Sequence, residues 1–168
     1  MSKILFIGGI SSGKSELAEN LALSYKEPRL YIATSDIKDE ETLKRIEKHK
    51  KRRKNLFDTQ EEPLYPEKFF DNKYNIILLD CLTHFYNNIF YYITDIRKRE
   101  KRIKDFFKKL DNYTGSIILV SNEVGLGGVP ANKLAREFAD FSGWANSLIA
   151  KSCDEAYLVV SGMNIRLK

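Results

Sequence analysis

The stretch KILFIGGISSGKSELA, residues 3–18, decides the fold. An apolar, β-branched run (KILFIG, 3–8) enters a glycine- and serine-rich loop, and the loop opens into a segment of helix formers. The loop GGISSGKS (8–15) fits GxxxxGK[ST] through Gly8, Gly13, Lys14 and Ser15. Its backbone N–H groups, those of Gly8, Gly9, Ile10, Ser11, Ser12 and Gly13 among them, must turn inward around phosphates, which demands small residues at the tight positions. Lys14 then reaches the β- and γ-phosphates, and Ser15 a Mg²⁺ ion. The motif requires a strand before it and a helix after it, and both are present.

Three further runs, LYIAT (30–34), NIILLD (75–80) and SIILVS (116–121), are almost continuously apolar, as strands covered on both faces of a parallel sheet are. Helical patterns lie between them. Residues 14–25 place Leu17, Leu21 and Leu23 among polar neighbours, and 36–53 carries Ile37, Leu43 and Ile46 on one side. Residues 131–151 space Leu134, Phe138, Phe141, Ala145 and Leu148 as a helix does. The end, EAYLVVSGMNIRLK, predicts two strands joined at Ser161-Gly162 as an antiparallel hairpin. Strands alternating with helices give an α/β fold, a doubly wound, mostly parallel sheet of P-loop NTPase type with a C-terminal antiparallel hairpin. One domain over residues 1–168 accounts for the chain, whose four prolines all fall between elements.

The net charge of +5 is unevenly placed. Residues 48–54 (KHKKRRK) and 97–109 (RKREKRIKDFFKK) together carry +12, and the other 148 residues carry −7. The protein is thus an acidic body with two basic patches. Cys81 and Cys153 lack metal or redox spacing and read as buried, reduced thiols. No signal-peptide core or membrane-length apolar run is present, so the expectation is a cytoplasmic protein.

Chemistry concentrates at two further places. Asp80 ends an apolar strand, where a P-loop needs an acid for the Mg²⁺ shell and where a carboxylate could accept a hydroxyl proton. His49 stands in RIEKHKKRRK (45–54) with Arg45 and Arg53 four residues to either side and Arg52 three residues on. Guanidiniums around an imidazole favour its neutral, nucleophilic form and could hold a polyphosphate while the histidine attacks phosphorus. A solvated helix face or a nucleic-acid patch fits the same residues, although the patch is short and lacks interleaved aromatics for base stacking. His84 reads as a structural or capping residue. Residues 97–109 read as a solvated surface helix, with Ile96, Ile103, Phe107 and Leu110 inward and Asp95/Arg99, Glu100/Lys104 and Asp105/Lys109 paired.

Taken in order, six blocks resemble the bifunctional adenosylcobinamide kinase/adenosylcobinamide-phosphate guanylyltransferase family of cobalamin biosynthesis. They are GGISSGKS (8–15), YIATS (31–35), DEETLKRIEKHKKRR (39–53), LLDCLT (78–83), SNEVGLGGVP (121–130) and DEAYLVVSGMNIRLK (154–168). The resemblance implies that His49 takes GMP from GTP as a phosphoramidate and that cobinamide phosphate then displaces it. It also implies a kinase step, from ATP or GTP to the aminopropanol hydroxyl of cobinamide, with Lys14, Ser15 and Asp80 contacting phosphate and Mg²⁺. Further nucleotide contacts are implied for Ala33, Thr34, Ser35, Lys50, Lys51, Arg52, Arg53 and Glu61. The implied partners are nucleotide and corrinoid small molecules, with no nucleic acid and no membrane span, and the implied assembly is a homo-oligomer. The chain departs from the family where Lys54 replaces a proline, Phe57 replaces a tryptophan, and Asp80 stands where many relatives carry glutamate. Competing readings are a P-loop small-molecule or nucleoside kinase without guanylyl transfer, and a nucleic-acid-binding ATPase.

Overall fold

The computed structural model describes residues 1–36 and 56–168. Seven strands form one sheet: β1 (Lys3–Gly8), β2 (Arg29–Ala33), β3 (Asp58–Glu61), β4 (Ile76–Asp80), β5 (Ile117–Asn122), β6 (Glu155–Val160) and β7 (Met163–Arg166). Their order is β3-β2-β4-β5-β1-β6-β7, and every neighbouring pair is parallel except β6 and β7. The helices are α1 (Lys14–Leu23), α2 (Leu82–Tyr92), α3 (Ile96–Asn112) and α4 (Lys133–Ser152), with a short 3-10 turn at Pro66–Phe69. The helix expected over 36–53 lies outside the described residues, apart from Asp36. Among the described residues no helix is long and apolar enough to cross a membrane.

Alternation along the strands explains why the runs look continuously apolar. Leu5, Ile7, Leu30, Ile32, Ile77, Leu79, Ile117 and Leu119 point to one face, where Phe85, Tyr86, Ile89, Ile103, Phe106, Leu110 and Ile149 from α2, α3 and α4 cover them. Ile4, Phe6, Tyr31, Ile76, Leu78, Ile118 and Val120 point to the other, beneath Ala18 and Ala22 of α1. The apolar residues of the central strands β1, β2, β4 and β5 therefore meet protein whichever way they point. Every residue of the two edge strands, β3 and β7, is exposed. The hairpin forms at the expected turn, with Ser161 at φ 52° and Gly162 at φ 78°, which sets Val160 opposite Met163.

Several helix faces differ from the expectation. On α1 the fully buried positions are Ala18 and Ala22, with Leu17 and Leu21 flanking, because small side chains let the helix lie close on the sheet. On α4 the buried face is Ser142, Ala145, Asn146, Ile149 and Ser152, and Leu134 is exposed. On α3 Ile96 is exposed, Phe106 is buried where Phe107 was expected, and Asp105 pairs with Lys101. Asp95 caps α3 through Lys98 N–H at 2.8 Å. Arg102, expected on the solvated face, is buried: it forms a two-pronged ion pair with Glu67 and donates to Leu64 O. The guanidinium also lies over the Tyr65 ring.

Candidate active site

The glycine- and serine-rich loop turns where β1 ends, at the carboxyl rim of the sheet. Gly8 is required by space: a Cβ there would come within 2.3 Å of Val159 O on β6. Gly13 is required by conformation, at φ 94° immediately before α1. Gly162 of the hairpin turn donates its N–H to Ser12 O at 2.8 Å, so the C-terminal hairpin braces the loop. Lys14 is buried and its ammonium donates to Gly9 O at 2.9 Å, across the loop. The hydroxyls of Ser12 and Ser35 are buried and have no partner among the described residues.

Asp80 ends β4, with β5 lying between that strand and β1. Its two carboxylate oxygens accept from different elements: Ser15 Oγ donates to Oδ1 at 3.4 Å, and Tyr31 OH donates to Oδ2 at 2.8 Å. Ser15 and Asp80 are hard oxygen donors facing each other, a set that suits Mg²⁺. Beyond them Thr34 is 0% exposed, and its polar atoms are spent within the protein. Its hydroxyl donates to Cys81 O at 2.6 Å and accepts from Cys81 N–H at 3.1 Å, while its N–H donates to Asp80 O at 3.4 Å. Asn88 on α2 donates to Thr34 O at 2.7 Å and to Pro63 O at 3.0 Å. A polar clasp thus ties the ends of β2 and β4 to α2 and to the chain just after β3.

The structure therefore brings Gly8, Gly9, Ile10, Ser11, Ser12, Gly13, Lys14, Ser15 and Asp80 to one rim. Ala33, Thr34 and Ser35 stand at the end of β2, where Ala33 is in register with both Asp80 and Glu61. His49, Lys50, Lys51, Arg52 and Arg53 lie outside the described residues. His84 sits in the first turn of α2. Both thiols are free and buried, and burial pushes Cys81 and Cys153 up to about 12. The sequence reading did not reach Tyr31, Asn88 or the Ser121–Asn146 hydrogen bond at 2.8 Å behind the β5 end. A cavity of ≈ 300 Å³ lined by Glu67, Phe70, Asn72 and Tyr113 lies away from these residues.

A phosphate-type loop at the end of β1, an acid at the end of β4 and a strand between them define a P-loop nucleotide-binding α/β protein. Two solved structures share the fold. A KaiC-like protein of Pyrococcus horikoshii OT3 superposes with a TM-score of 0.55 at 11% identity, covering 94% of this chain and 70% of that one. An ATPase from the type III secretion system of pathogenic bacteria gives 0.54 at 12% identity, covering 98% and 56%. Sequence comparison is more specific. Residues 4–167 match the family described as cobinamide kinase / cobinamide phosphate guanyltransferase. The bifunctional adenosylcobalamin biosynthesis protein CobP of Pseudomonas aeruginosa is 36% identical, covering 98% of this chain and 96% of that protein. CobU of Salmonella typhimurium LT2 is 37% identical over 98% of this chain and 99% of its own. The chain belongs to the cobinamide kinase / cobinamide phosphate guanyltransferase family. The family, fold and enzyme class expected from the six blocks are met.

Proposed function

We propose that this chain, as one catalytic domain over residues 1–168, phosphorylates adenosylcobinamide and then converts the product to adenosylcobinamide-GDP. The observation that carries the reading is a GxxxxGKS loop with its buried lysine beside the Ser15–Asp80 pair, in a chain that matches the family over residues 4–167. In the kinase step the aminopropanol oxygen forms a bond to the γ-phosphorus of ATP or GTP, the bond to the nucleoside diphosphate breaks, and the hydroxyl proton passes to Asp80. Loop N–H groups, the Lys14 ammonium and the unpaired Ser12 hydroxyl meet the charge on the phosphate oxygens. Ser15 and Asp80 would hold Mg²⁺, which when bound offsets phosphate charge. Thr34 contributes through Asp80 and Cys81, whose backbone it fixes, and Ser35 supplies a hydroxyl that has no partner among the described residues.

In the second step an imidazole nitrogen of His49 bonds to the α-phosphorus of GTP and pyrophosphate leaves. A phosphate oxygen of cobinamide phosphate then bonds to the same phosphorus, the P–N bond breaks, and the histidine is restored. Lys50, Lys51, Arg52 and Arg53 hold the triphosphate, and Ala33 and Glu61 line the nucleotide. The protein works in the cytoplasm as a homo-oligomer. Incubation with adenosylcobinamide, ATP and Mg²⁺ should yield the phosphorylated corrinoid by mass spectrometry, and Asp80→Asn should slow its formation about 10²-fold or more. A wild-type protein that leaves adenosylcobinamide unchanged overturns the reading.

A further inference from the structure

The segment between β5 and α4 is built like an arm reaching out from the phosphate loop. Its root is fixed: Asn122 is in register with Gly8, Glu123 N–H donates to Gly8 O at 2.9 Å, and Asn122 N–H donates to Thr83 Oγ1 at 2.6 Å. Its far end is fixed as well. Arg136 donates to Pro130 O at 2.8 Å and to Ala131 O at 2.7 Å, and the Asn132 side chain caps α4 at Leu134 N–H. Within the arm Glu123 Oε1 accepts from Gly125 N–H at 2.8 Å, and Gly128 takes φ 94°.

Between these anchors the arm exposes aliphatic surface. Leu126 is 75% exposed and Val129 87%. Residues 124–132, VGLGGVPAN, hold no charged side chain, in a protein where 30% of residues are charged. A tethered, uncharged, aliphatic surface facing water has a transfer cost that a ligand removes on covering it. Resting on the function proposed above, the acceptor is a corrinoid. Its macrocycle offers broad apolar faces and an amide-bearing rim, and it delivers one hydroxyl on a flexible arm to the γ-phosphate.

We propose that residues 123–130 are the corrinoid-docking arm, with Leu126 and Val129 lying against the macrocycle while its hydroxyl arm reaches the phosphate loop. The position fits the chemistry: a bulky acceptor must rest beside the loop that holds the donor phosphates, and this arm starts from the carbonyl of Gly8. Beyond Glu123, which is turned onto Gly125 N–H, the neutral surface of residues 124–130 also suits an acceptor whose polar groups are amides instead of anions.

The test compares the full chain with Leu126→Ser, Val129→Ser and the double variant, using adenosylcobinamide and ATP as probes. Ile96→Ser, an exposed aliphatic position on α3, serves as control. The double variant should raise the KM for adenosylcobinamide about tenfold or more, equivalent to ~1.4 kcal/mol of lost binding. The KM for ATP, guanylylation by GTP without corrinoid, and the oligomer size in solution should stay as in wild type, and the control should change none of them. An unmoved corrinoid KM, a KM for ATP that rises in step with it, or an oligomer that dissociates overturns the proposal, the last making the arm an interface between copies. These results differ from failure of the underlying function, in which the wild type itself turns over no corrinoid.

Discussion

Lys14 and Arg102 are both 7% exposed, yet they are buried for different ends. Arg102 is closed in by the fold: both carboxylate oxygens of Glu67 and the Leu64 carbonyl accept from its guanidinium, with Tyr65 and Phe85 rings against it. It joins α3 to the 3-10 turn. Lys14 is held on a loop shaped by Gly8 and Gly13, with its ammonium reaching back across that loop to Gly9 O. The contrast teaches that burial of a charge does not by itself mark chemistry. The surroundings differ: a guanidinium whose Nη2 meets both oxygens of one carboxylate and whose Nε and Nη2 meet a carbonyl makes a structural joint, whereas a lysine held on a glycine-shaped loop at the carboxyl rim of the sheet carries the phosphate role proposed above.

Loss of each cation should therefore register in a different measurement. Lys14→Ala should lower kinase kcat/KM about 10³-fold and leave the thermal midpoint within about 3 °C of wild type. Arg102→Ala should do the reverse. It strands the half-buried Glu67 carboxylate and leaves the Leu64 carbonyl without its donor, at a cost of about 3 kcal/mol, so the midpoint drops roughly 10 °C while the KM for ATP, measured well below it, holds. Equal losses of activity in the two variants would break the contrast.

The Thr34 clasp sharpens it further, since Thr34 is buried like Arg102 but touches the chain at Asp80. Thr34→Val removes both hydrogen bonds to Cys81, and about a tenfold fall in kcat should follow with the KM for nucleotide unchanged. Thr34→Ser should restore most of the rate. A direct nucleotide contact would instead raise that KM.

The smallest effect concerns the thiols. Cys81 and Cys153 are raised from 9.0 to about 12 in the fold, so above pH 9 the unfolded chain releases protons that the folded chain retains. Stability then falls as pH rises between 9 and 12 and is unaffected by these groups below pH 9. Urea midpoints at pH 8 and pH 10 should show the fall, shallower in a Cys81→Ala/Cys153→Ala variant than in wild type.

Local signals were the legible ones. The loop 8–15, the acid closing NIILLD and the Ser161-Gly162 turn each declare themselves within a few residues, and all three stand where expected. β3 was invisible because DTQE is polar and wholly exposed, and only its pairing with β2 makes it a strand. α2 was missed because LTHFYNNIFYY mixes aromatic and asparagine residues that suit strand or turn as well as helix, until Phe85, Tyr86 and Ile89 find the core. The clasp could not be read because Thr34 and Cys81 lie 47 residues apart, and Thr34 and Asn88 lie 54 apart. Arg102 looked solvated because its partners, Leu64 and Glu67, come from a distant turn.

The central claim is that this P-loop protein transfers GMP through His49. The direct measurement is incubation of the wild type and His49→Ala with α-labelled GTP and Mg²⁺, without corrinoid, followed by peptide mapping. The account predicts acid-labile label on His49 in the wild type and none in the variant. A wild type that takes up no label, or a variant that labels equally well, would contradict it.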